Sequence, residues 1–319
     1  MRGKYKRILP LLLALLLLCG CGSKTASAPS ADESAAAEKT VETAETEEPF
    51  VPYEAPEALF AEFHAEHASG EGEELLDLEH VSDGYITVCV VSDAKMKLRV
   101  LYEDESYVYS LYNTGRVNVI PVQLGDGLYT VSLMQNVVDS KYTEVQHYEL
   151  EVTLTDPLGP FLVSNDYVSY TEDSDCIAVV KELAAQCADE IDVVSAVYDY
   201  ICEHITYDYE LAATVEDGYM PDLDAVLAAG TGICFDYASL AAAMLRYEGI
   251  PTKVIFGYVA PEGTYHAWNM FYTEESGWVT VDFHVSTDSW NRLDLTFAAN
   301  GADDSFIGDG TNYTDVYFY

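Results

Sequence analysis

Apolar residues recur at helical spacing along much of the second half of the chain. Two stripes stand out, Ile177, Val180, Ala184 and Cys187 followed by Val194, Val197, Ile201 and Ile205. Side chains spaced three or four residues apart share one face of a helix, so each stripe predicts an amphipathic helix. We expect Ser174 or Asp175 to cap the first helix and Asp192 to cap the second. A third helical stretch is predicted from about Asp222 to Ala229.

A fourth predicted helix begins at Cys234 and continues to about Tyr247. It ends there because Gly249 and Pro251 supply a glycine C-cap and a proline that cannot continue the helix. Between Phe235 and Leu245 the residues are apolar on almost every face, a pattern typical of a helix buried in the middle of a domain.

Strand patterns occupy two other regions. Short runs rich in β-branched and aromatic residues, separated by turn residues such as Asn113-Thr114-Gly115, predict a small β-sandwich-like domain of about seven strands over residues 84–156. The breaker-rich segment Asp156–Pro160 closes it, and a second domain is assigned to residues 160–319. Three more strands are predicted at Thr252–Ala260, His266–Tyr272 and Trp278–Asp282. Together with the helices they give an α+β fold class.

The N-terminus carries a different signal. Four basic residues precede an apolar run, Ile8–Leu18, which is too short to span a bilayer comfortably and predicts a signal peptide over residues 1–20. The run ends at Cys19-Gly20-Cys21, which resembles the lipobox of bacterial lipoproteins. That resemblance implies that Cys21 is lipidated and anchors the protein at the extracytoplasmic face of the cell membrane. An ordinary secretory signal is the alternative.

Residues 21–52 are mostly Ser, Ala, Thr and Glu, which cannot bury enough apolar surface to order the chain, so a disordered acidic tether is predicted. Residues 53–83 are poorly defined by pattern, with a short helix expected over Ala58–Ala68. The net charge of −40 repels phosphate backbones, so a nucleic-acid partner is not expected.

Of the seven cysteines, Cys19 and Cys21 belong to the signal and the anchor. Cys176 and Cys187 are predicted to share one helix as small buried residues. A disulfide between Cys187 and Cys202 of the neighbouring helix stays open. The chain contains no C-x-x-C pair that would indicate zinc binding or redox work.

Cys234 stands where the fourth helix begins, facing unpaired N–H groups and the positive end of the helix dipole, which favour a thiolate. A cysteine in this position is more often structural than catalytic. The downstream strands change that balance, because a hairpin centred near Glu275 places His266 and Asp282 as diagonal neighbours on one sheet face. A carboxylate beside an imidazole fixes its tautomer and raises its basicity.

Four motifs in this order resemble the transglutaminase-like superfamily. They are Gly230-x-Gly-x-Cys234-x-Asp236-Tyr237-Ala238, Leu245-Arg246-x-x-Gly249-Ile250-Pro251, His266-Ala267-Trp268-Asn269 and Trp278-x-x-Val281-Asp282. The resemblance implies a papain-like core in which Cys234 is the nucleophile, His266 the base and Asp282 the residue that orients it. One departure is that Phe283 and His284 follow Asp282, where family members often have Asp-x-Thr.

The implied reaction is acyl transfer at an amide bond of a protein or peptide substrate at the cell envelope, through a thioester. Hydrolysis is favoured over transamidation, and a non-catalytic scaffold is the third reading. The implied chemistry needs no cofactor and no metal. His64 and His67 have metal-ligand spacing but lack a third ligand in sequence. The acidic stretch containing Asp303, Asp304, Asp309, Asn312 and Asp315 lacks a calcium-loop pattern and is interpreted as a solvated loop.

Overall fold

The computed structural model describes residues 50–216, 218–259, 263–274, 277–279 and 313–319. Its first strands are β1 (Ser69–Glu71), β2 (Glu74–Asp77), β3 (Tyr85–Val91), β4 (Met96–Tyr102), β5 (Glu105–Leu111), β6 (Thr114–Pro121), β7 (Gly127–Val138) and β8 (Lys141–Val152). Next come α1 (Asp175–Ala184), α2 (Glu190–His204), β9 (Thr206–Tyr207), α3 (Tyr209–Thr214), α4 (Leu223–Ala229), β10 (Thr231–Gly232) and α5 (Cys234–Tyr247). The last strands are β11 (Thr252–Val259), β12 (Thr264–Thr273), β13 (Gly277–Val279) and β14 (Tyr313–Phe318). Helices and sheets thus occur together, as the α+β prediction requires.

Within the described residues, the N-terminal strands form two antiparallel sheets, ordered β1-β2-β3-β6 and β5-β4-β7-β8. Buried positions alternate with half-buried ones along β4 and with exposed ones along β5, since successive side chains of a strand point to opposite faces. The inward-facing side chains of both sheets share one core, which includes Leu76, Val88, Leu98, Tyr109, Ile120 and Leu133.

The helix predicted over Ala58–Ala68 is wrong, because these residues, all of them described, contain no helical segment. Their backbone groups bond to the first sheet instead. The Glu62 amide donates to the Tyr85 hydroxyl at 3.1 Å, and the His64 amide donates to the Asp77 carboxylate at 2.7 Å. These tertiary bonds, with the Phe60 ring packed 5.8 Å from that of Tyr170, override a weak local helix preference.

Helix α5 is the centre of the second half. It packs against α1, α2 and α4 on one side and against β11 and β12 on the other. The residues from Phe235 to Arg246 are all buried, which confirms the prediction of a helix inside the domain. No helix in the described part of the chain combines the length and hydropathy needed to cross a bilayer.

Two details of α1 and α2 differ from the sequence prediction. Helix α1 ends at Ala184, so Cys187 lies beyond it in a turn where its amide donates to the Ala184 carbonyl at 3.0 Å. Helix α2 is capped by Asp189, whose carboxylate accepts from the Asp192 amide at 2.9 Å. Asp192 lies one turn inside, where its own carboxylate accepts from the Ala188 amide at 3.0 Å. Cys187 and Cys202 are both free thiols.

The C-terminal sheet has the order β13-β12-β11-β14. Its hairpin pairs Thr273 with Gly277, Tyr272 with Trp278 and Phe271 with Val279, which is the register predicted from a turn centred near Glu275. Strand β14 was not predicted, and it places Asp315 in a sheet instead of the acidic loop expected there. It forms because β11 offers a free edge with which these residues pair in antiparallel register.

The two halves meet around Tyr319, and the described residues from Phe50 to Tyr319 form one unit. The Tyr319 ring stacks on that of Tyr167 at 3.7 Å and meets the edge of Tyr109, on β5, at 5.7 Å. The fully buried Arg246 holds the backbone of this junction, donating to the carbonyls of Thr252, Val163 and Tyr319 at 2.8 to 3.0 Å. Each buried carbonyl thereby gains a charge-assisted partner.

Candidate active site

The loop before α5 is shaped by Asp236, a buried carboxylate in the first turn of that helix. Asp236 accepts from the Ile233 amide at 2.7 Å and from the Tyr219 hydroxyl at 2.7 Å. The first bond closes the turn that places Cys234 at the start of α5. Burial raises the pKa of Asp236, and these two bonds oppose the rise. Burial also raises the pKa of Tyr219, which keeps its hydroxyl protonated as the donor.

The local backbone geometry explains why glycines occupy two positions of the same motif. Gly230 ends α4 with φ of +64°, a conformation that glycine adopts without strain. Its carbonyl then accepts from the Thr206 amide at 2.9 Å, and the Gly232 carbonyl accepts from the Asp208 amide at 2.9 Å. These bonds pair β10 with β9 and fix the segment that leads into Cys234.

His266 lies on β12, opposite Gly257 of β11, and only 5% of its surface is exposed. Because side chains alternate along a strand, it shares a face with Trp268, and the two ring centroids are 6.4 Å apart. Asp282 lies outside the described residues.

Asn269 connects the strand of His266 to the helix of Cys234. Its side-chain amide donates to the Ala238 carbonyl of α5 at 2.9 Å and to the Lys253 carbonyl of β11 at 3.0 Å. The sequence analysis quoted Asn269 within a motif without giving it a role. The sequence feature that could have revealed this role is a side-chain amide between Trp268 and Met270 in a largely apolar strand. A buried amide needs hydrogen-bond partners, so it is expected to connect neighbouring elements.

Cys234 and His266 line one cavity of about 650 Å³. Eight of its twenty lining residues are tyrosines or phenylalanines, namely Tyr167, Tyr207, Tyr219, Phe235, Phe256, Tyr265, Tyr317 and Tyr319. Lys97 and Ser110 contribute from β4 and β5, so the β-rich region forms part of the cavity wall. The other predicted positions, Cys21, Asp303, Asp304, Asp309 and Asn312, lie outside the described residues.

Comparisons to known proteins support the superfamily predicted from the sequence. Residues 177–283 match the family model for the transglutaminase-like superfamily. A 92-residue stretch is 34% identical to the protein-glutamine gamma-glutamyltransferase of Pseudomonas aeruginosa, covering 25% of this chain and 13% of that protein. The match therefore spans about an eighth of the relative's length.

Two solved structures are also similar over much of the chain. The periplasmic domain of TgpA from Pseudomonas aeruginosa is 17% identical with a TM-score of 0.33, covering 78% of this chain and 81% of that one. A candidate cysteine protease from Cytophaga hutchinsonii is 14% identical with a TM-score of 0.39, covering 74% and 76%. The family-model match contains the motifs around Cys234, His266 and Asp282. Residues 177–283 of this chain therefore constitute a domain of the transglutaminase-like superfamily.

Proposed function

We propose that this protein is a cysteine-dependent hydrolase that cleaves peptide or side-chain amide bonds through a thioester. The observation that carries the proposal is that Cys234, at the start of buried α5, and His266, on β12, line the same cavity. The Cys234 thiolate forms a bond to the amide carbonyl carbon, and the C–N bond breaks as His266 delivers a proton to the leaving nitrogen. Water, deprotonated by His266, then cleaves the thioester and regenerates the thiol.

The remaining parts of the mechanism follow from the same placement. N–H groups at the beginning of α5 have no partner within the helix and are suited to hold the oxyanion that develops on the carbonyl. Asp282 is assigned to orient the His266 ring and to stabilise its protonated form. The aromatic cavity wall favours substrates whose acyl side presents apolar or aromatic surface, such as a segment of a protein or peptide.

Transamidation is the second candidate function. It would replace water by a lysine amine at the thioester and so crosslink two proteins. Two observations favour it, the gamma-glutamyltransferase name of the relative and the strongly acidic chain, whose net charge of −40 attracts cationic amines. A scaffold without catalysis is the third candidate.

The proposed site of action is the extracytoplasmic face of the cell membrane, with a lipid on Cys21 as the anchor. The support for it is the sequence alone, in which a short apolar run ends in Cys19-Gly20-Cys21. Substrates would then be proteins or peptides of the cell envelope, reached by way of the acidic segment over residues 21–52.

The test incubates the purified protein with a glutamine-rich carrier protein, with and without a fluorescent primary amine. Mass spectrometry then distinguishes backbone cleavage, conversion of glutamine to glutamate, and amine incorporation. If the protein is a hydrolase, backbone cleavage or conversion of glutamine to glutamate is expected even with amine present. If it is a transamidase, amine incorporation is expected. Cys234→Ala should abolish either activity, whereas Cys89→Ala, a matched change at a thiol outside the cavity, should not. Equal product from wild type and Cys234→Ala would refute catalysis by this thiol.

A further inference from the structure

We propose that Glu62, His64 and His80 form a binding site for a zinc-class divalent cation, separate from the Cys234 cavity. Glu62 and His64 lie on the extended segment before β1, and His80 lies in the turn between β2 and β3. One ligand atom of each lies within 4.8 Å of the other two. The tertiary structure thus supplies the third ligand that the sequence lacked, and it replaces His67 as the partner of His64.

The spacing fits a tetrahedral ion. With metal–ligand bonds of about 2.0 to 2.1 Å, neighbouring ligand atoms stand ~3.3 Å apart. His64 Nε2 and the Glu62 carboxylate are already 3.4 Å apart. A side-chain shift of about 1.5 Å or less brings His80 into the same shell. The donor set would be two imidazoles, one carboxylate and a water in the fourth position. Such a set binds zinc in preference to calcium or magnesium.

Both histidines have a carboxylate at Nδ1, so Nε2 is the nitrogen available to the proposed ion. His64 Nδ1 lies 2.8 Å from a Glu79 carboxylate oxygen, and His80 Nδ1 lies 2.9 Å from one of Asp83. Such a carboxylate accepts the Nδ1 proton, fixes the tautomer and leaves Nε2 with a free lone pair for the metal.

His80 adds an independent observation. Its Nε2 atom is buried and has no hydrogen-bond partner among the described residues, although an unsatisfied buried polar atom is costly. The ring cannot easily turn this atom to water, because it stacks on Tyr85 at 5.1 Å and is bonded to Asp83. A metal ion would satisfy this nitrogen after a side-chain shift of about 1.5 Å or less.

The backbone that carries the ligands is already held in place. The Glu62 amide donates to Tyr85, and the His64 amide donates to the buried Asp77. Asp77 also accepts from the Glu79 amide at 3.0 Å, one residue before His80. Binding therefore costs little ordering of the chain. The ion would crosslink the segment before β1 to the β2–β3 turn, and it takes no part in the acyl-transfer chemistry.

A competing set consists of His64, His67 and Glu79. Here both Nδ1 atoms face the same Glu79 oxygen, at 2.8 and 2.6 Å, so that oxygen is already satisfied by the two rings. His67 is also largely exposed, and the buried nitrogen of His80 would stay unpaired. We therefore assign the ion to the set that contains His80.

The test titrates the chelator-treated protein with zinc by calorimetry and with cobalt by visible absorption, in a Cys234→Ala background so that this thiol does not compete. One equivalent is expected to bind. His80→Gln should abolish saturable binding, and Asp83→Asn, at an exposed residue that contacts only the outer nitrogen, should weaken it about 10- to 100-fold. His67→Gln is the matched control and should change the affinity less than about threefold, within the spread of surface substitutions.

Circular dichroism in chelator verifies that each variant is folded before titration. No saturable zinc binding by the parent protein would overturn the proposal. So would loss of binding in His67→Gln with retention in folded His80→Gln, which would place the ion in the competing set.

Discussion

Gly232 and Asp236 are packed so closely that a Cβ atom on Gly232 would stand 2.8 Å from the Cβ atom of Asp236. The contact is possible only without a side chain at residue 232, since Cβ atoms do not approach other carbons at that distance. It allows the Asp236 carboxylate to reach back to the Ile233 amide. The glycine two residues before Cys234 is therefore required by packing, not by an unusual backbone angle.

Gly232→Ala should consequently displace the first turn of α5 and lower activity while the domain stays folded. A shift of about 1 Å at a reacting group can lower the rate about 10²-fold. The measurement is kcat/KM on whichever amide substrate the wild type cleaves, with circular dichroism as the fold check. Thr231→Ala, at the exposed neighbouring residue, is the control and should leave the rate within about twofold. An unchanged rate in Gly232→Ala would show that the contact does not position Cys234.

His266→Ala should slow the alkylation of Cys234 by iodoacetamide at neutral pH. A neighbouring imidazolium stabilises the thiolate, and about 1.4 kcal/mol of lost stabilisation corresponds to a tenfold slower reaction. The rate is followed by mass spectrometry of the Cys234 peptide. His204→Ala, which removes an exposed histidine at the end of α2, is the matched control. Asp282→Asn should lower turnover, because an amide does not stabilise a protonated imidazole as a carboxylate does. Alkylation that is slow in wild type and indifferent to His266 would identify Cys234 as a structural thiol.

Glu248 should make stability pH-dependent. It is 4% exposed, and burial raises the pKa of its carboxyl from 4.5 to about 7, while Lys181 acts in the opposite direction. The folded state thus holds a proton that the unfolded state releases between these values. The stabilisation is fully present below pH 4.5 and is lost as pH rises through about 7, by about 1 to 3 kcal/mol.

Glu248→Gln removes this titration, so the variant should gain stability relative to wild type when the pH changes from 5 to 8. Guanidinium unfolding at the two pH values measures the difference. Glu182→Gln, at an exposed residue on α1, is the control and should show no such gain. An equal pH dependence in wild type and Glu248→Gln would mean that Glu248 is charged in the folded protein throughout.

Cys21→Ala should abolish acylation and release the protein from the membrane fraction, or leave it as a precursor with residues 1–20 attached. The physical reason is that a chain with a net charge of −40 is repelled by anionic headgroups, so attachment depends on the lipid. Metabolic labelling with a fatty-acid analogue and cell fractionation are the measurements. Cys19→Ala is the matched control. Labelling that survives Cys21→Ala would contradict the assignment.

Much of the site could be predicted because its signals are local. The limits of α5 at Cys234 and Tyr247 follow from an apolar run that ends in a glycine and a proline, and the hairpin register follows from one short polar turn. Turn residues and hydrophobic periodicity act over a few residues, so they can be recognised in the sequence without knowledge of the fold. The motif around Asp236 is local for the same reason, since its cap spans a single helical turn.

Contacts between distant segments were decided only by the tertiary structure. Residues 58–68 are extended because Tyr85 and Asp77 bind their backbone, and β14 exists because β11 offers it an edge. The convergence of Glu62 and His64 with His80, and the presence of Lys97 in the same cavity wall as Cys234, likewise depend on how separate elements pack. No periodicity encodes such contacts, because the free energy that favours them comes from surfaces that meet only after the chain has folded.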